Sequence, residues 1–351
     1  MNSTAQRTVL VTGASGFVGR HLVRKLIESG RHVLCLVRVT SQVDELRALG
    51  AELITCDLRD PRGITRIIAA AQASVVFHLA GLVRALSPQD FTRVNVEGVK
   101  AIAAGCAEAA VHSAPPVLVL ISSLAAAGPA ATMPRQESDP PLPVSHYGRS
   151  KLAGEQAAAR YARIVPITVV RPGVVFGAGD RGMYEMFKPL ACSGIHFVPG
   201  RGVERLTLIA VADLIELIVQ AAEKGARLLP GGAGMEGGEE RAGEGIYFAA
   251  AGDLSYVELG HALAQALGKE QARIVRMPDW MLRIMGVGGD IVAQIRRRPG
   301  WLNRDKISEV LAGSWTCSSA KARRQLDWAP AATLTARLRE TAEWYRAAHW
   351  L

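Results

Sequence analysis

The chain has 351 residues, 49% of them hydrophobic and 21% charged, which is enough to bury a sizeable core and far from a disordered composition. Collagen-like, coiled-coil and disulfide-scaffold architectures are excluded, and the length suits two domains. The net charge is +9; between positions 273 and 351 there are 14 Lys/Arg against 7 Asp/Glu, so +7 of it lies in the last segment.

Apolar, β-branched runs at 8–11, 32–37, 52–55, 74–78, 117–121 and 167–170 read as short buried strands. Helical patterns lie between them at 18–29, 42–49, 64–71, 90–110 and 145–163. This alternation predicts an α/β fold with a doubly wound parallel sheet, whose ligands bind outside the carboxyl ends of the strands. A strand-helix unit returns at 206–222, and 246–250 reads as a last strand. The stretch 229–245 is rich in glycine and charge and reads as a mobile surface loop. Residues 255–351 are mostly helical in pattern. The expected division is a dinucleotide-binding domain from 1–171 plus 206–251, and a smaller, mainly helical substrate-binding lobe from 172–205 plus 252–351.

The run TGASGFVG, residues 12–19, follows a strand directly and opens an amphipathic helix. In that context Gly13 permits a tight turn, Gly16 lets the backbone approach a pyrophosphate, and Gly19 lets helix and strand pack closely. The helix N-terminus offers free N–H groups and partial positive charge to the phosphates. Gly13, Ser15, Gly16, Phe17, Val18 and Gly19 form this expected cofactor turn. A second literal match, with Gly232, Gly234 and Gly237, has no strand before it and no helix after it, so it is not read as a nucleotide site. Sites that prefer NAD place an acid about 20 residues after the turn, at the end of the second strand. Here that strand ends in Arg38, with no acid until Asp44, so NADP is favoured and NAD remains possible.

Tyr147 and Lys151 stand four residues apart, on one face of a helix. A phenol ionises near pH ~10 in water, and a neighbouring cation favours the phenolate; a drop of about three units takes ~4 kcal/mol. Tyr147 is thereby read as an acid/base beside a carbonyl or alcohol. Ser123, after the 117–121 strand, is placed to hydrogen-bond the substrate oxygen, and no G-x-S-x-G elbow marks it as a nucleophile.

Together these motifs resemble the extended short-chain dehydrogenase/reductase family. The specific part runs over 8–214, through TGASGFVG, CDLRD, FHLAG, NVEG, ISSLAAAG, YGRSK, RPGVVFGAGD and RLTLIAVADL. Beyond Ser255 the similarity is loose. The resemblance implies that Asp57 and Leu58 border adenine, that Leu79, Ala80 and Gly81 line the cofactor channel, and that Asn95 helps order the site. It further implies that Ser123 polarises a carbonyl, Tyr147 exchanges the proton, and Lys151 also binds the nicotinamide ribose. Pro172 and Val175 would pack against the nicotinamide. Dehydratases of the family carry Thr-Asp-Glu where this chain has Ser123, Leu124 and Ala125, and sugar epimerases usually show a Tyr where Ala127 precedes Gly128. The pattern is closer to the hydroxysteroid-dehydrogenase-like and dihydroflavonol-reductase-like branch.

The expected function is therefore hydride transfer between a nicotinamide cofactor and a ketone or secondary alcohol of a fairly apolar small molecule. The alternatives are a sugar-nucleotide epimerase and a non-catalytic cofactor-binding sensor or scaffold. The alanines at 125–127 read either as an apolar substrate wall or as packing under a loop. Small residues Ala153, Gly154, Ala157 and Ala158 suit either homodimer contact or internal packing. The segment 280–298 reads as core helices split by glycines, as a substrate lid, or as a peripheral membrane contact. The basic excess near the C-terminus suits a solvated face, an anionic substrate tail or a membrane surface; nucleic acid is not an expected partner at 5% aromatic content. Five scattered cysteines without a C-x-x-C pair, no histidine at metal-ligand spacing and no signal peptide or spanning segment predict a cytoplasmic protein without a metal.

Overall fold

Side chains of a fully buried strand alternate between the two faces of its sheet, and that alternation organises the first half of this chain. The computed structural model describes residues 8–111, 113–230, 243–300 and 302–351. The strands are β1 (Thr8–Thr12), β2 (His32–Val37), β3 (Glu52–Thr55), β4 (Val75–His78), β5 (Val117–Ile121) and β6 (Ile167–Pro172), then β7 (Val174–Phe176), β8 (Ile195–Pro199), β9 (Arg205–Ala210), β10 (Ile246–Ala249), β11 (Gly252–Ser255) and β12 (Arg273–Met277). Seven of them make one parallel sheet in the order β10-β6-β5-β4-β1-β2-β3. Chain direction across the sheet reverses at β1, so a ligand crevice opens beyond the carboxyl ends of β1 and β4.

The helices are α1 (Phe17–Glu28), α2 (Asp44–Ala48), α3 (Pro61–Ala71), α4 (Pro88–Phe91), α5 (Gly98–Ala109), α6 (Leu124–Ala127) and α7 (His146–Ala159), then α8 (Arg181–Ser193), α9 (Val211–Lys224), α10 (Tyr256–Ala266), α11 (Asp279–Arg296), α12 (Arg304–Val310), α13 (Ala320–Leu326) and α14 (Leu334–Ala347). Val9, Val11, Cys35, Val119 and Ile121 point to one core, shared with α1 and α9. Leu10, Leu34, Leu36, Leu118 and Leu120 point to the opposite core, shared with α3 and α5. A third core joins Phe187, Leu208, Leu259, Leu263, Leu338 and Tyr345 and reaches the large sheet at Phe248 of β10.

Several expectations change in detail. The single helix expected at 90–110 is α4, a π-helical turn (Thr92–Glu97) and α5 in succession. β9 opens the stretch 206–222 but joins β7 and β11 in a second sheet, while β8 and β12 form a separate pair. Glycines do not split the 280–298 segment, which is one helix through position 296. Gly286 and Gly289 are needed there for contact: an added Cβ would sit 3.0 Å from Ile307 and 2.0 Å from the Leu302 carbonyl. Most of the glycine-rich stretch 229–245, including Gly232, Gly234 and Gly237, lies outside the described residues. Among the described residues no helix is long and apolar enough to cross a membrane.

A buried acid is among the ties that hold the C-terminal helices to the layer around the large sheet. Asp213, in α9, accepts Arg337 Nη2 at 2.7 Å and Nε at 3.1 Å, and the Ala331 N–H at 3.0 Å. Its own carbonyl accepts the Trp328 indole N–H at 3.0 Å. Removing one partner of such a pair strands the other, at a cost of about 3 kcal/mol. Asp213→Ala should lower the unfolding free energy by about that amount in urea titrations, with native circular dichroism retained before the transition.

Candidate active site

The turn after β1 is shaped by two glycines. Gly13 takes φ +71°, and a Cβ there would lie 2.5 Å from the Ala80 nitrogen and 2.8 Å from the Leu79 carbonyl carbon. At Gly19 a Cβ would lie 2.1 Å from the Gly13 carbonyl oxygen, so α1 can start this close to the turn only without a side chain. Gly16 closes the turn by donating its N–H to Gly13 O at 2.9 Å and stands at the N-terminus of α1. No side chain caps that N-terminus. The first N–H groups of α1, at Phe17, Val18 and Gly19, are thus left for an anion, with Ser15 beside them in the turn. These residues fit a dinucleotide pyrophosphate.

Arg38 and Asp57 stand just past the ends of the neighbouring strands β2 and β3. The Arg38 side chain is exposed, and its turn closes when its N–H donates to Ser41 Oγ at 3.1 Å. Arg59 hydrogen-bonds the Asp57 carboxylate through Nε and Nη2 and holds it down to about 2, with Arg38 adding a smaller pull. Leu58, next in the chain, packs at the edge of the core under α3 and α5.

Leu79, Ala80 and Gly81 continue from β4 past the glycine turn toward α7. A Cβ at Gly81 would lie 3.1 Å from Asn95 Oδ1 and 3.7 Å from Lys151 Nζ. Asn95, buried in the π-helical turn, fixes this rim: its Oδ1 accepts the Leu82 N–H at 2.8 Å, and its Nδ2 donates to Leu82 O and to Ser150 Oγ, both at 2.9 Å. Below the rim, Thr12 Oγ1 and His78 Nδ1 share a hydrogen bond of 2.7 Å. Burial, with the Lys151 charge adding to it, lowers His78 to about 3, so the ring stays neutral.

Ser123, Tyr147 and Lys151 come together at the end of β5. The Ser123 hydroxyl lies beside the Tyr147 phenol and favours its ionised form, and Ser123 also caps α6 by accepting the Ala125 N–H at 3.1 Å. Lys151 is buried one turn along α7, where its ammonium donates to Ile121 O at 2.7 Å. Burial lowers the amine to about 8 against the pull of Glu155. Burial also pushes the phenol up to about 12, with Ser123 opposing and Glu309 reinforcing the rise. The phenol was expected to be depressed. Dehydration outweighs the nearby charge, and the ammonium is turned onto the strand carbonyl.

Pro172 ends β6 beside the Ser122 end of β5, and Val175 lies on β7, packed against the α1/α9 core. His146, next to Tyr147 in the chain, is exposed and its N–H binds Asp305, so its ring is not part of this cluster. Ala125, Ala126 and Ala127 are all buried rather than lining an open wall. The reason is close packing of α6 on α7, where a Cβ at Gly148 would come within 2.3 Å of Ala125 O. Gly154, Ala157 and Ala158 are likewise buried within the chain. Among the described residues no group of His, Cys, Asp or Glu is arranged to hold a metal.

Sequence reasoning missed the groups that hold α7 in place. Glu155, one turn beyond Lys151, accepts the Ser122 hydroxyl and forms a buried ion pair with Arg171, whose Nε lies 2.9 Å from Oε1. Glu155 lies on the Tyr147–Lys151 face of the helix, and that spacing was a usable signal. At the other end, Asp305 of α12 accepts the N–H groups of His146 at 2.6 Å and Tyr147 at 3.1 Å. Glu309, one turn on, accepts the Ser145 hydroxyl at 2.6 Å. Nothing in the sequence pairs these positions, which are more than 150 residues apart.

The Glu309 anion disfavours a phenolate beside it, so neutralising it should ease ionisation of Tyr147. In Glu309→Gln the Tyr147 midpoint should fall, by up to about one unit. Ultraviolet difference titration of proteins with and without Tyr147→Phe isolates that phenol; an unchanged midpoint would remove Glu309 from its electrostatics.

A family model described as the NAD dependent epimerase/dehydratase family matches residues 9–233. Ceramide reductase of Caulobacter vibrioides is 31% identical over 352 residues, covering 100% of this chain and 98% of that protein. A 4-hydroxy-2-methyl-3-oxo-4-farnesyl-3,4-dihydroquinoline-1-oxide ketoreductase of Stigmatella aurantiaca is 28% identical, over 63% of this chain and 65% of its own. Among solved structures, UDP-glucose 4-epimerase of Thermotoga maritima with UDP-glucose superposes with a TM-score of 0.74 at 22% identity, over 97% of this chain and 99% of that one. With the glycine turn, the sheet order and the full-length relative in agreement, the chain belongs to the NAD dependent epimerase/dehydratase family.

Proposed function

We propose that this protein is an oxidoreductase, preferring NADP over NAD, that interconverts a ketone and a secondary alcohol on a fairly apolar, lipid-like small molecule. The observation that carries the reading is the placing of Ser123 beside Tyr147, one turn from a buried Lys151, at the end of a continuous rim. That rim runs from the glycine turn through Leu79, Ala80 and Gly81 to the Lys151 ammonium. In this reading the large sheet holds the cofactor, and the segments 172–205 and 252–351 cover the substrate.

Gly13, Ser15, Gly16, Phe17, Val18 and Gly19 would hold the pyrophosphate, and Asp57 with Leu58 would border the adenine. Leu79, Ala80 and Gly81 would line the channel, with Pro172 and Val175 against the nicotinamide. When bound, the cofactor supplies or accepts the hydride at the substrate carbon. The Ser123 hydroxyl donates a hydrogen bond to the substrate oxygen, where negative charge develops during reduction. Tyr147, raised to about 12, is protonated at neutral pH and therefore poised to give its proton to that oxygen. Lys151, one turn from the phenol, would bind the ribose. The buried alanines lend no support to an apolar pocket, so that part of the proposal rests on the ceramide reductase and ketoreductase relatives. The superposition on a UDP-glucose epimerase keeps a sugar nucleotide as the competing substrate.

The test is a panel of long-chain lipid ketones against UDP-hexoses. NADPH oxidation is expected with at least one ketone, reduced at least about 100-fold by Tyr147→Phe, the scale of losing a general acid. Interconversion of UDP-hexoses without ketone turnover would establish the epimerase instead, and cofactor binding without any turnover the sensor.

Arg38 supplies the argument for NADP, as a cation where a 2′-phosphate would lie and no acid competes for a 2′-hydroxyl. Arg38→Ala is expected to lower kcat/KM for NADPH by about tenfold, the loss of one charge-assisted contact, with that for NADH nearly unchanged. An equal fall for both cofactors would assign Arg38 to adenine stacking alone.

A further inference from the structure

We propose that α11 is an interfacial helix that seats this protein on an anionic membrane surface. The helix has two apolar stripes on opposite sides. The inner one, Leu282, Gly286 and Ala293, is buried, with Gly286 against Ile307 of α12. The outer one steps by four, three, four and four residues through Trp280, Ile284, Val287, Ile291 and Ile295, and so keeps to one face. It points to solvent: Trp280 is 64%, Ile284 62%, Ile291 56% and Ile295 76% exposed. Beside it, a groove of about 540 Å³ opens next to α11, with Met285, Val292, Pro299 and Leu302 among its lining. Single exposed apolar residues are ordinary on a protein surface; a stripe of five along an 18-residue helix marks a docking face.

Charge selects the occupant. Arg283, Arg296, Arg297 and Arg298 are all exposed along and just beyond the helix. The two acids of α11 are Asp279 and Asp290, and Asp290 is already engaged by Arg304 at 2.5 Å. A second copy docked with its helix parallel would bring two arginine clusters together, and one docked antiparallel would offer each cluster only Asp279, whereas anionic headgroups would pair with all of them. Large apolar side chains on one face, flanked by Arg283 and with Arg296 and Arg298 lining the adjoining groove, have the composition of helices that lie in the membrane–water interface, and Trp280 suits headgroup depth. The consequence reaches the candidate site, because α11 packs on α12, and α12 carries Asp305 and Glu309 on the N-terminus of α7.

The docking does not depend on the reaction proposed above, since it is tested without substrate. The full chain is co-sedimented with vesicles of phosphatidylcholine alone or of phosphatidylcholine mixed with phosphatidylglycerol. Binding to the anionic vesicles is expected, falling at least about tenfold on neutral vesicles or in high salt. Ile284→Asp with Ile295→Asp, and separately Arg296→Gln with Arg297→Gln and Arg298→Gln, should each weaken it by a similar factor. All five side chains are exposed, so thermal unfolding should match the unaltered protein and exclude misfolding as the cause. Three results would overturn the proposal: no binding to anionic vesicles, binding indifferent to lipid charge or to these variants, or a dimer in solution that Ile284→Asp dissociates while vesicles recover nothing.

Discussion

The candidate site depends on how one face of α7 is docked onto the end of β5. Tyr147, Lys151 and Glu155 follow one another by single turns along the helix, and three consecutive residues at the strand end meet them. Lys151 binds the carbonyl of Ile121, Glu155 binds the hydroxyl of Ser122, and Tyr147 lies beside the hydroxyl of Ser123. The ion pair of Glu155 with Arg171 then ties this docking to β6. A buried pair of this kind adds little net stability against an apolar replacement, because both charges lose their hydration. Its contribution here is directional. It fixes the rotation of α7 about its axis, and a rotation by one residue would carry the phenol some ~100° out of the crevice.

The same burial that orders these groups sets their protonation in opposite senses. Removing water disfavours charge, so the phenol rises to about 12 while the amine falls to about 8. Both shifts push the pair toward its neutral forms. At neutral pH the phenol keeps its proton, and the amine lies close enough to its midpoint to respond to small changes in its surroundings. Such a pair has a proton to give in the reductive direction and must first lose one in the oxidative direction. His78, lowered to about 3 below the rim, adds a neutral ring and no competing cation.

How far the sequence revealed this depends on the range of the interactions. The glycine turn was legible because strand, turn and helix are contiguous, and each glycine is required by a neighbour within the turn or by the rim across from it. Tyr147 and Lys151 were legible through helical periodicity; Glu155 shares that periodicity but was missed. The role of the alanines at 125–127 was not, since an apolar wall and a packed helix share one composition; only the close approach at Gly148 decides between them. Asp305 and Glu309 were invisible because their partners on α7 lie in a distant part of the chain, and no local pattern encodes a cap supplied from elsewhere. The π-helical turn was read as plain helix for a similar reason. Its extra residue serves Asn95, which bridges the Leu82 backbone and Ser150, and helical spacing alone does not report that demand.

The charge of the C-terminal segment becomes intelligible once its acids are separated from its bases. Its excess of arginine and lysine suggests uniform repulsion of cations, yet two of its seven acids, Asp305 and Glu309, turn inward onto the start of α7. A carboxylate on the first N–H groups of a helix is favoured by the helix dipole, so Asp305 stabilises the end that carries Tyr147. Glu309 acts on the same end with a different effect, because its negative charge opposes ionisation of the phenol. The bases of α11 meanwhile remain on the outside. One short helix, α12, therefore separates an acidic contact with the candidate catalytic helix from a basic, apolar outer face. Through α12 and its two carboxylates, α11 is connected to the start of α7 without passing through the large sheet.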